Sequence, residues 1–179
     1  MTYAKPEPIT LSHELSNFRC GDDRIDRWLR DHAVSNAIKL AGSVRVVSVS
    51  DTREVVAFYA LSHKVITGRS LPGRMRRNMP PEIPAVFIGQ FAVALDHQGS
   101  GLGKALLKDM FNRIVHSLAA IPAPLIALDA ANEEAARFWR HWGFRPYPDL
   151  MDTAYVMRTV DLLASMGLSY EAVLEGLRD

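Results

Sequence analysis

The chain has a single cysteine, Cys20, among 179 residues. That excludes a disulfide framework and any zinc or iron–sulfur centre built from several cysteines of one chain. It leaves Cys20 to be read as a small buried hydrophobe. No run approaches the roughly 18 apolar residues of a membrane-spanning helix. The stretch from Met1 to Pro8 lacks the apolar centre of a signal peptide, so a cytoplasmic location is the expectation. There is also no surplus of charge: Lys+Arg is 21 and Asp+Glu is 20, a formal net charge of +1. A histone-like coating protein and an acidic solvating tail are both excluded. The six histidines, at positions 13, 32, 63, 97, 116 and 141, show no helical ligand spacing beside a carboxylate, so no metal is expected. His141, close to Trp139, is read as a surface or capping histidine. What remains, with 48% hydrophobic and 23% charged residues, is an ordinary soluble globular protein of one domain, or one domain with an appendage.

The first ten residues hold two prolines and read as an extended lead-in. Asp22 or Asp23 suits a helix N-cap, with Asp26 adding charge to the first turn. Ile25, Trp28 and Leu29 recur at helical spacing, which predicts one helix or two short ones over 23–40, stopped by Gly42. Val44 to Val49 is β-branched, 51–54 is a turn, and 55–61 begins a second strand, together a hairpin. Residues 67–84 are a loop dense in Gly, Pro and Arg. The near-continuous apolar run Val86 to Val93 predicts a strand buried on both faces. A long helix follows, with Leu102, Leu106, Met110, Ile114 and Leu118 marking its core face. Leu125 to Leu128 is a buried strand. Asn132 caps a helix that carries Glu133 and Glu134 in its first turn and ends at Gly143. A last strand lies around Tyr155 to Met157. Residues 160–179 read as a terminal helix through Leu162, Leu163, Met166, Val173, Leu174 and Leu177. The order implies an α+β or α/β sheet layered with helices.

The sharpest local signal is Gln98-x-x-Gly101-x-Gly103, between a buried strand and a long helix. Glycines there let a ligand approach the backbone, and the helix start offers unpaired N–H groups at the positive end of its dipole. Such a place holds phosphate. A Walker loop fails because Gln98 and Ala105 stand where it needs Gly and Ser or Thr, and the dinucleotide pattern fails because Lys104 replaces its third glycine. What remains is the pyrophosphate loop of acyl-coenzyme A transferases, Q/R-x-x-G-x-G/A.

With this loop, the segment Ala131-Asn132-Glu133-Glu134-Ala135-Ala136-Arg137-Phe138-Trp139-Arg140-His141-Trp142-Gly143-Phe144 resembles the GNAT superfamily of N-acetyltransferases, whose pattern there is A-x-N-x-x-A-x-x-F-Y-x-x-x-G-F. The resemblance runs from about residue 8 to 159. It implies a GNAT domain over 1–159, with a mixed central sheet flanked by helices, and a C-terminal helical tail over 160–179. A narrower likeness, through Phe18-Arg19-Cys20-Gly21, Ile25-Asp26-x-Trp28-Leu29, Phe58-Tyr59-Ala60-Leu61 and Arg76-Arg77-Asn78-Met79-Pro80, is to GNAT toxins of bacterial toxin–antitoxin pairs. It implies acetyl-CoA as co-substrate, aminoacyl-tRNA as acceptor, a ribbon-helix-helix antitoxin as partner, and a homodimer. Acetylation of a small amine or a protein N-terminus, and a weakly catalytic acyl-CoA-binding partner of an antitoxin repressor, are the alternatives.

By the resemblance, Gln98, Gly99, Ser100, Gly101, Leu102, Gly103 and Lys104 take the pyrophosphate. Phe91, Ala92 and Val93 line the pantetheine arm, with the Val93 amide as oxyanion donor, and Asn132 and Phe138 complete the coenzyme site. The chain departs from the family where Trp139 replaces the tyrosine acid. An indole N–H donates a hydrogen bond but cannot transfer a proton near neutral pH. Trp139 is then either a donor to the sulfur or a core aromatic, and Tyr147, Tyr155 or Tyr59 would substitute as acid. A free α-amino group has a pKa of about 7.7–8.0, and an ester lowers it, so an aminoacyl ester needs little help from a base.

Acidic residues are missing between Val55 and Pro81, where Lys64, Arg69, Arg74, Arg76 and Arg77 stand, whereas 149–179 holds six acids against Arg158 and Arg178. Sixteen of the 21 basic residues are arginine, the better phosphate fork. Beside a solvated loop, the reading favoured for Arg69, Arg74, Arg76 and Arg77 is contact with an RNA backbone.

Overall fold

The computed structural model describes residues 2–147 and 153–176. In chain order its strands are β1 (Glu7–Pro8), β2 (Ser43–Ser48), β3 (Val55–Thr67), β4 (Glu82–Val93), β5 (Leu125–Asp129), β6 (Arg145–Pro146) and β7 (Ala154–Arg158). The helices are α1 (Asp23–Asp31), α2 (Ala33–Ile38), α3 (Gly73–Arg76), α4 (Leu102–Ala120), α5 (Glu133–His141), α6 (Thr159–Ser165) and α7 (Tyr170–Glu175). The seven strands hydrogen-bond in the order β1-β2-β3-β4-β5-β7-β6. Strands β4 and β5 run parallel, whereas the pairs β1–β2, β2–β3, β5–β7 and β6–β7 are antiparallel. This is the mixed sheet with helices expected from the sequence. Two compact units divide the chain, Met1–Ser62 with Gly89–Asn112 and His63–Ile88 with Arg113–Asp179.

In the first unit, Asp22 is the N-cap of α1, its carboxylate accepting the Arg24 N–H at 2.9 Å. The stretch 23–40 is two helices, parted at His32, where φ is −126°. It ends before Gly42: the Leu40 and Ala41 N–H groups bond back to Ala37 O and Asn36 O, with Leu40 at φ +57°. That is the turn geometry glycine usually supplies at a helix end. Trp28 stacks on Phe58 at 6.0 Å, and Phe18 meets Phe58 edge-on at 5.3 Å, closing a core with Leu29 and Ala33. Asp26 does more than charge a helix end: it is buried and accepts the Cys20 N–H at 2.9 Å. Cys20 itself is half-buried, not wholly so. Burial first, then the neighbouring aspartates, pushes its thiol up to about 12, which makes it a poor nucleophile.

The hairpin forms as expected, with Val46 opposite Phe58, but β3 continues to Thr67. Its extension is β-branched at Val65, Ile66 and Thr67, with Ile66 buried between exposed neighbours, the alternation of a half-covered strand. All five residues marked for the core face of α4 are buried.

In the second unit, the span 67–84 is not a plain loop. It holds the end of β3, a 3-10 turn at Gly68–Ser70, the single-turn α3, and the start of β4 at Glu82. Leu71 and Met75 anchor it by burial, in one cluster with Ile83, Leu125, Tyr147 and Val156. Strand β4 is also less evenly buried than its composition implies. The parallel register with β5 covers only Ala85 to Ile88, so Phe91 is half-buried and Gly89 exposed. The terminal segment is two helices: Gly167 takes φ +69°, and Ser169 caps α7 by accepting the Ala172 N–H at 3.2 Å. Leu162 and Leu163 are buried, whereas Met166 and Leu174 are exposed. Leu177 and Arg178 lie outside the described residues, as do Asp149, Asp152 and Asp179.

Candidate functional site

Strand β4 carries Phe91, Ala92 and Val93 into a 3-10 turn over Leu95–His97. Two backbone bonds fasten that turn: the Ala94 N–H donates to Val56 O and the Leu95 N–H to Arg19 O, both at 2.8 Å. Gln98 folds back on it, Nε2 donating to Val93 O at 2.9 Å and to Cys20 O at 3.3 Å. Ser100 Oγ donates to His97 O at 2.6 Å. Gly99 and Gly101 sit at φ +71° and +85°, a conformation that costs a residue with a side chain about 1–2 kcal/mol. The first N–H at the head of α4 to find an acceptor is that of Ala105, bonding Gly101 O at 3.1 Å. The backbone N–H groups from Gly99 to Lys104 therefore have no acceptor among the described residues. Such a row at the positive end of a 19-residue helix is chemically a phosphate cradle. Gly103 has another reason to be small: a Cβ there would lie 3.6 Å from Val93 Cγ2, so the helix start packs on the end of β4.

In the second unit, Asn132 Oδ1 accepts the Ala135 N–H at 2.8 Å, the expected cap of α5, with Glu133 and Glu134 in the first turn. Phe138 is half-buried and meets Trp139 edge-on at 5.1 Å. Trp139 is 5% exposed and meets Phe144 edge-on at 5.3 Å, so its ring is part of the packing around α5. Tyr147 is 3% exposed within the apolar cluster of Ile66, Leu71 and Met75. The other two tyrosines weighed as acids have engaged hydroxyls. Tyr155 accepts from Arg140 Nη1 at 2.9 Å, and Arg140 also reaches Glu133. Tyr59, in the first unit, donates to Asp109 Oδ2 at 2.6 Å. His141 is exposed, edge-on to Trp142.

Residues 38–146 match the family model described as an acetyltransferase (GNAT) domain. The chain belongs to the GNAT acetyltransferases. It is 35% identical over 146 residues to a tRNA-acetylating toxin of Mycobacterium tuberculosis, covering 82% of this chain and 87% of that protein. Its fold is similar to that of AtaT complexed with acetyl-methionyl-tRNAfMet, with a TM-score of 0.83 at 22% identity, covering 92% of this chain and 99% of the other. It is similar too to a mutant AtaT toxin bound to the C-terminus of the antitoxin AtaR and acetyl-CoA, with a TM-score of 0.77 at 22% identity, covering 90% and 97%.

In this GNAT acetyltransferase the four arginines singled out by the sequence share one short stretch. Arg69 stands on the 3-10 turn, Arg74 and Arg76 on α3, and Arg77 at its end, all exposed, while Met75 between them is buried and pins the helix. Asp161 pairs with Arg158 at 2.6 Å, which holds its carboxyl below the usual range, and the charge of Arg74 adds to that effect. Arg69, Arg76 and Arg77 make no ion pair among the described residues. Sequence reasoning took Gln98 for a coenzyme contact; its side chain is instead a brace between Val93 and Cys20. That use left no local signal, because Cys20 lies 78 positions away.

Proposed function

We propose that this GNAT acetyltransferase is a toxin that transfers the acetyl group of acetyl-CoA to the α-amino group of aminoacyl-tRNA and so blocks translation. The observation that carries the reading is the 35% identity, over most of both chains, to a relative named for acetylating tRNA. The row of unpaired N–H groups from Gly99 to Lys104 supports a coenzyme pyrophosphate at the head of α4. Phe91, Ala92 and Val93 are assigned to the pantetheine arm, with the Val93 amide as donor to the thioester oxygen. Removing a donor of that kind costs roughly 3–4 kcal/mol of transition-state stabilisation. Asn132 and Phe138 are assigned to the same coenzyme, and Arg69, Arg74, Arg76 and Arg77 to the tRNA backbone.

The coenzyme supplies an activated acetyl thioester; what the chain supplies is position. An aminoacyl ester amine is substantially neutral at pH 7–8, so orientation carries much of the rate. At the departing sulfur, Trp139 offers at most a hydrogen bond, and Tyr147 is the remaining tyrosine assigned as a proton source. By the family likeness we read residues 1–159 as the catalytic domain with 160–179 as its tail. We also infer a cytoplasmic homodimer restrained by a ribbon-helix-helix antitoxin.

The test is incubation of purified protein and acetyl-CoA with total aminoacylated tRNA, followed by nuclease digestion and mass analysis of the terminal aminoacyl-adenosine. One acetyl group gained on a subset of aminoacyl-adenosines is expected. Acetylation confined to free amines or peptides, with charged tRNA untouched, would refute the reading.

A further inference from the structure

Beside α1, in the first unit, lies a cavity of about 450 Å³ lined by Arg19, Asp23, Asp26, Arg27 and Arg30. We propose that this cavity binds a phosphate ester of the substrate RNA backbone, a contact separate from the arginines of the 69–77 stretch. The inference rests on the aminoacyl-tRNA reading above.

The case begins with how the guanidinium groups are held. Arg19 Nη1 donates to two backbone carbonyls, Ser16 O at 2.9 Å and Phe18 O at 2.6 Å. Arg27 Nε donates to Asp23 O at 3.1 Å. Arg30, in the last turn of α1, has no acidic partner among the described residues. Carbonyls orient a guanidinium without neutralising it, and each of these groups keeps N–H donors to spare. Arg24 on the same helix is built otherwise, for its Nε and Nη2 both bond the Asp22 carboxylate, which consumes its charge locally. Arg27 and Arg30, three residues apart, share one face of α1, and Asp23, four before Arg27, shares it too.

The two carboxylates do not cancel this. Asp26 is 2% exposed, and its Oδ1 already accepts the Cys20 N–H. Asp23 is exposed and moderates the field, leaving three cations against two anions on the lining. The volume falls within the range of small-ligand sites, enough for a phosphodiester and part of its sugar. Arginine forks suit phosphate oxygens better than a point charge does. The cavity wall is also tied to the glycine loop, because Arg19 O accepts the Leu95 N–H at 2.8 Å and Cys20 O accepts from Gln98. A phosphate held here therefore bears on the segment that also holds the head of α4.

The experiment measures binding of total aminoacylated tRNA across a salt series, with acetyl-CoA affinity followed in parallel by calorimetry. Arg27→Ala with Arg30→Ala should weaken tRNA binding by about tenfold or more at moderate salt and lower the slope of log K against log salt by about two, one unit per lost phosphate contact. Arg27→Lys with Arg30→Lys should keep the slope while losing part of the affinity. Asp23→Asn should tighten tRNA binding, an opposite sign that misfolding does not mimic. Affinity for acetyl-CoA should be unchanged throughout. Unaltered tRNA affinity and slope in the double alanine variant, with the wild type binding and acetylating charged tRNA, would overturn the cavity assignment alone. If the double variant instead weakened acetyl-CoA but not 3′-dephospho-acetyl-CoA, the phosphate would be the coenzyme's and the RNA assignment would fall. A wild type that neither binds nor acetylates charged tRNA would overturn both readings.

Discussion

Gly103→Asp should remove coenzyme binding while leaving the fold intact, and the structure gives the sign of each contribution. Gly103 is not in the left-handed region, and its new Cβ would meet Val93 Cγ2 at 3.6 Å, an ordinary contact. Sterically the substitution is mild, so Gly103→Ala is the control and should bind acetyl-CoA within about threefold of the wild type. The carboxylate is another matter. Two unit charges about 5 Å apart repel by about 3 kcal/mol at an effective dielectric constant of about 20, equivalent to about 200-fold in Kd. For the free protein the same charge works the other way. An aspartate in the first turn of α4 favours the helix dipole by about 0.3–1 kcal/mol, and replacing a helical glycine adds up to about 1 kcal/mol more. Tm without ligand should therefore hold or rise while affinity collapses. Calorimetric titration of acetyl-CoA, beside thermal melts of both variants, reads the two effects separately. If Gly103→Asp bound acetyl-CoA as tightly as Gly103→Ala, the anion would not sit at this helix start.

Changing Arg74, Arg76 and Arg77 together to Ala should weaken tRNA binding and reduce its salt slope by about one unit per lost phosphate contact, with acetyl-CoA affinity unchanged by calorimetry. Trp139→Ala should cost about 3–5 kcal/mol in denaturant unfolding, the usual loss for a large buried aromatic, because its ring is 5% exposed between Phe138 and Phe144. Asp22 and Asp161 are both held below the usual carboxylate range, chiefly by hydrogen bonds from Arg24 and Arg158. Their stabilisation is thus complete above the unfolded value of about 3.9 and lost as pH falls through the folded values. Solvent screening keeps each contribution under about 1 kcal/mol, and Asp161→Asn should slightly flatten the fall of Tm below pH 4.

The legible parts of this chain are those whose signal fits inside one window. The four-residue rhythm of α4, the Asn132 cap and the glycine loop each declare themselves within a few positions. The single turn of α3 is shorter than any periodic pattern, and only the burial of Leu71 and Met75 reveals what fixes it. At the C-terminus the apolar count ran straight across Gly167, although Gly167 and Ser169 are there to end one helix and start another. Within the site, the motif located the cradle but not what stiffens it. Gln98 depends on Cys20 and Val93, and Cys20 on Asp26, so the wall of the cradle is assembled from residues near 20 and near 95. Only the folded chain brings these together, and Asp26 looked from its position like a helix-dipole charge.

The exchange of tyrosine for Trp139 has a consequence for pH that packing alone would not produce. A tyrosine acid, with an ordinary pKa near 10, gives a rate that climbs as the acceptor amine deprotonates and falls as the phenol ionises. An indole has no such ionisation, so with Trp139 at that position the descending limb should be absent. The rate of a single turnover should rise through the amine pKa, about 8 or lower, and then level off up to about pH 10. An amide-linked aminoacyl-tRNA analogue, which resists alkaline hydrolysis, keeps the acceptor intact over that range. Trp139→Tyr should restore the descending limb and match or exceed the wild-type rate, since it returns a proton donor toward the departing thiolate. Tyr147 is the residue that defeats this reasoning if it is wrong. A descending limb near pH 10 in the wild type that vanishes in Tyr147→Phe would assign the acid to Tyr147, and leave Trp139 as core.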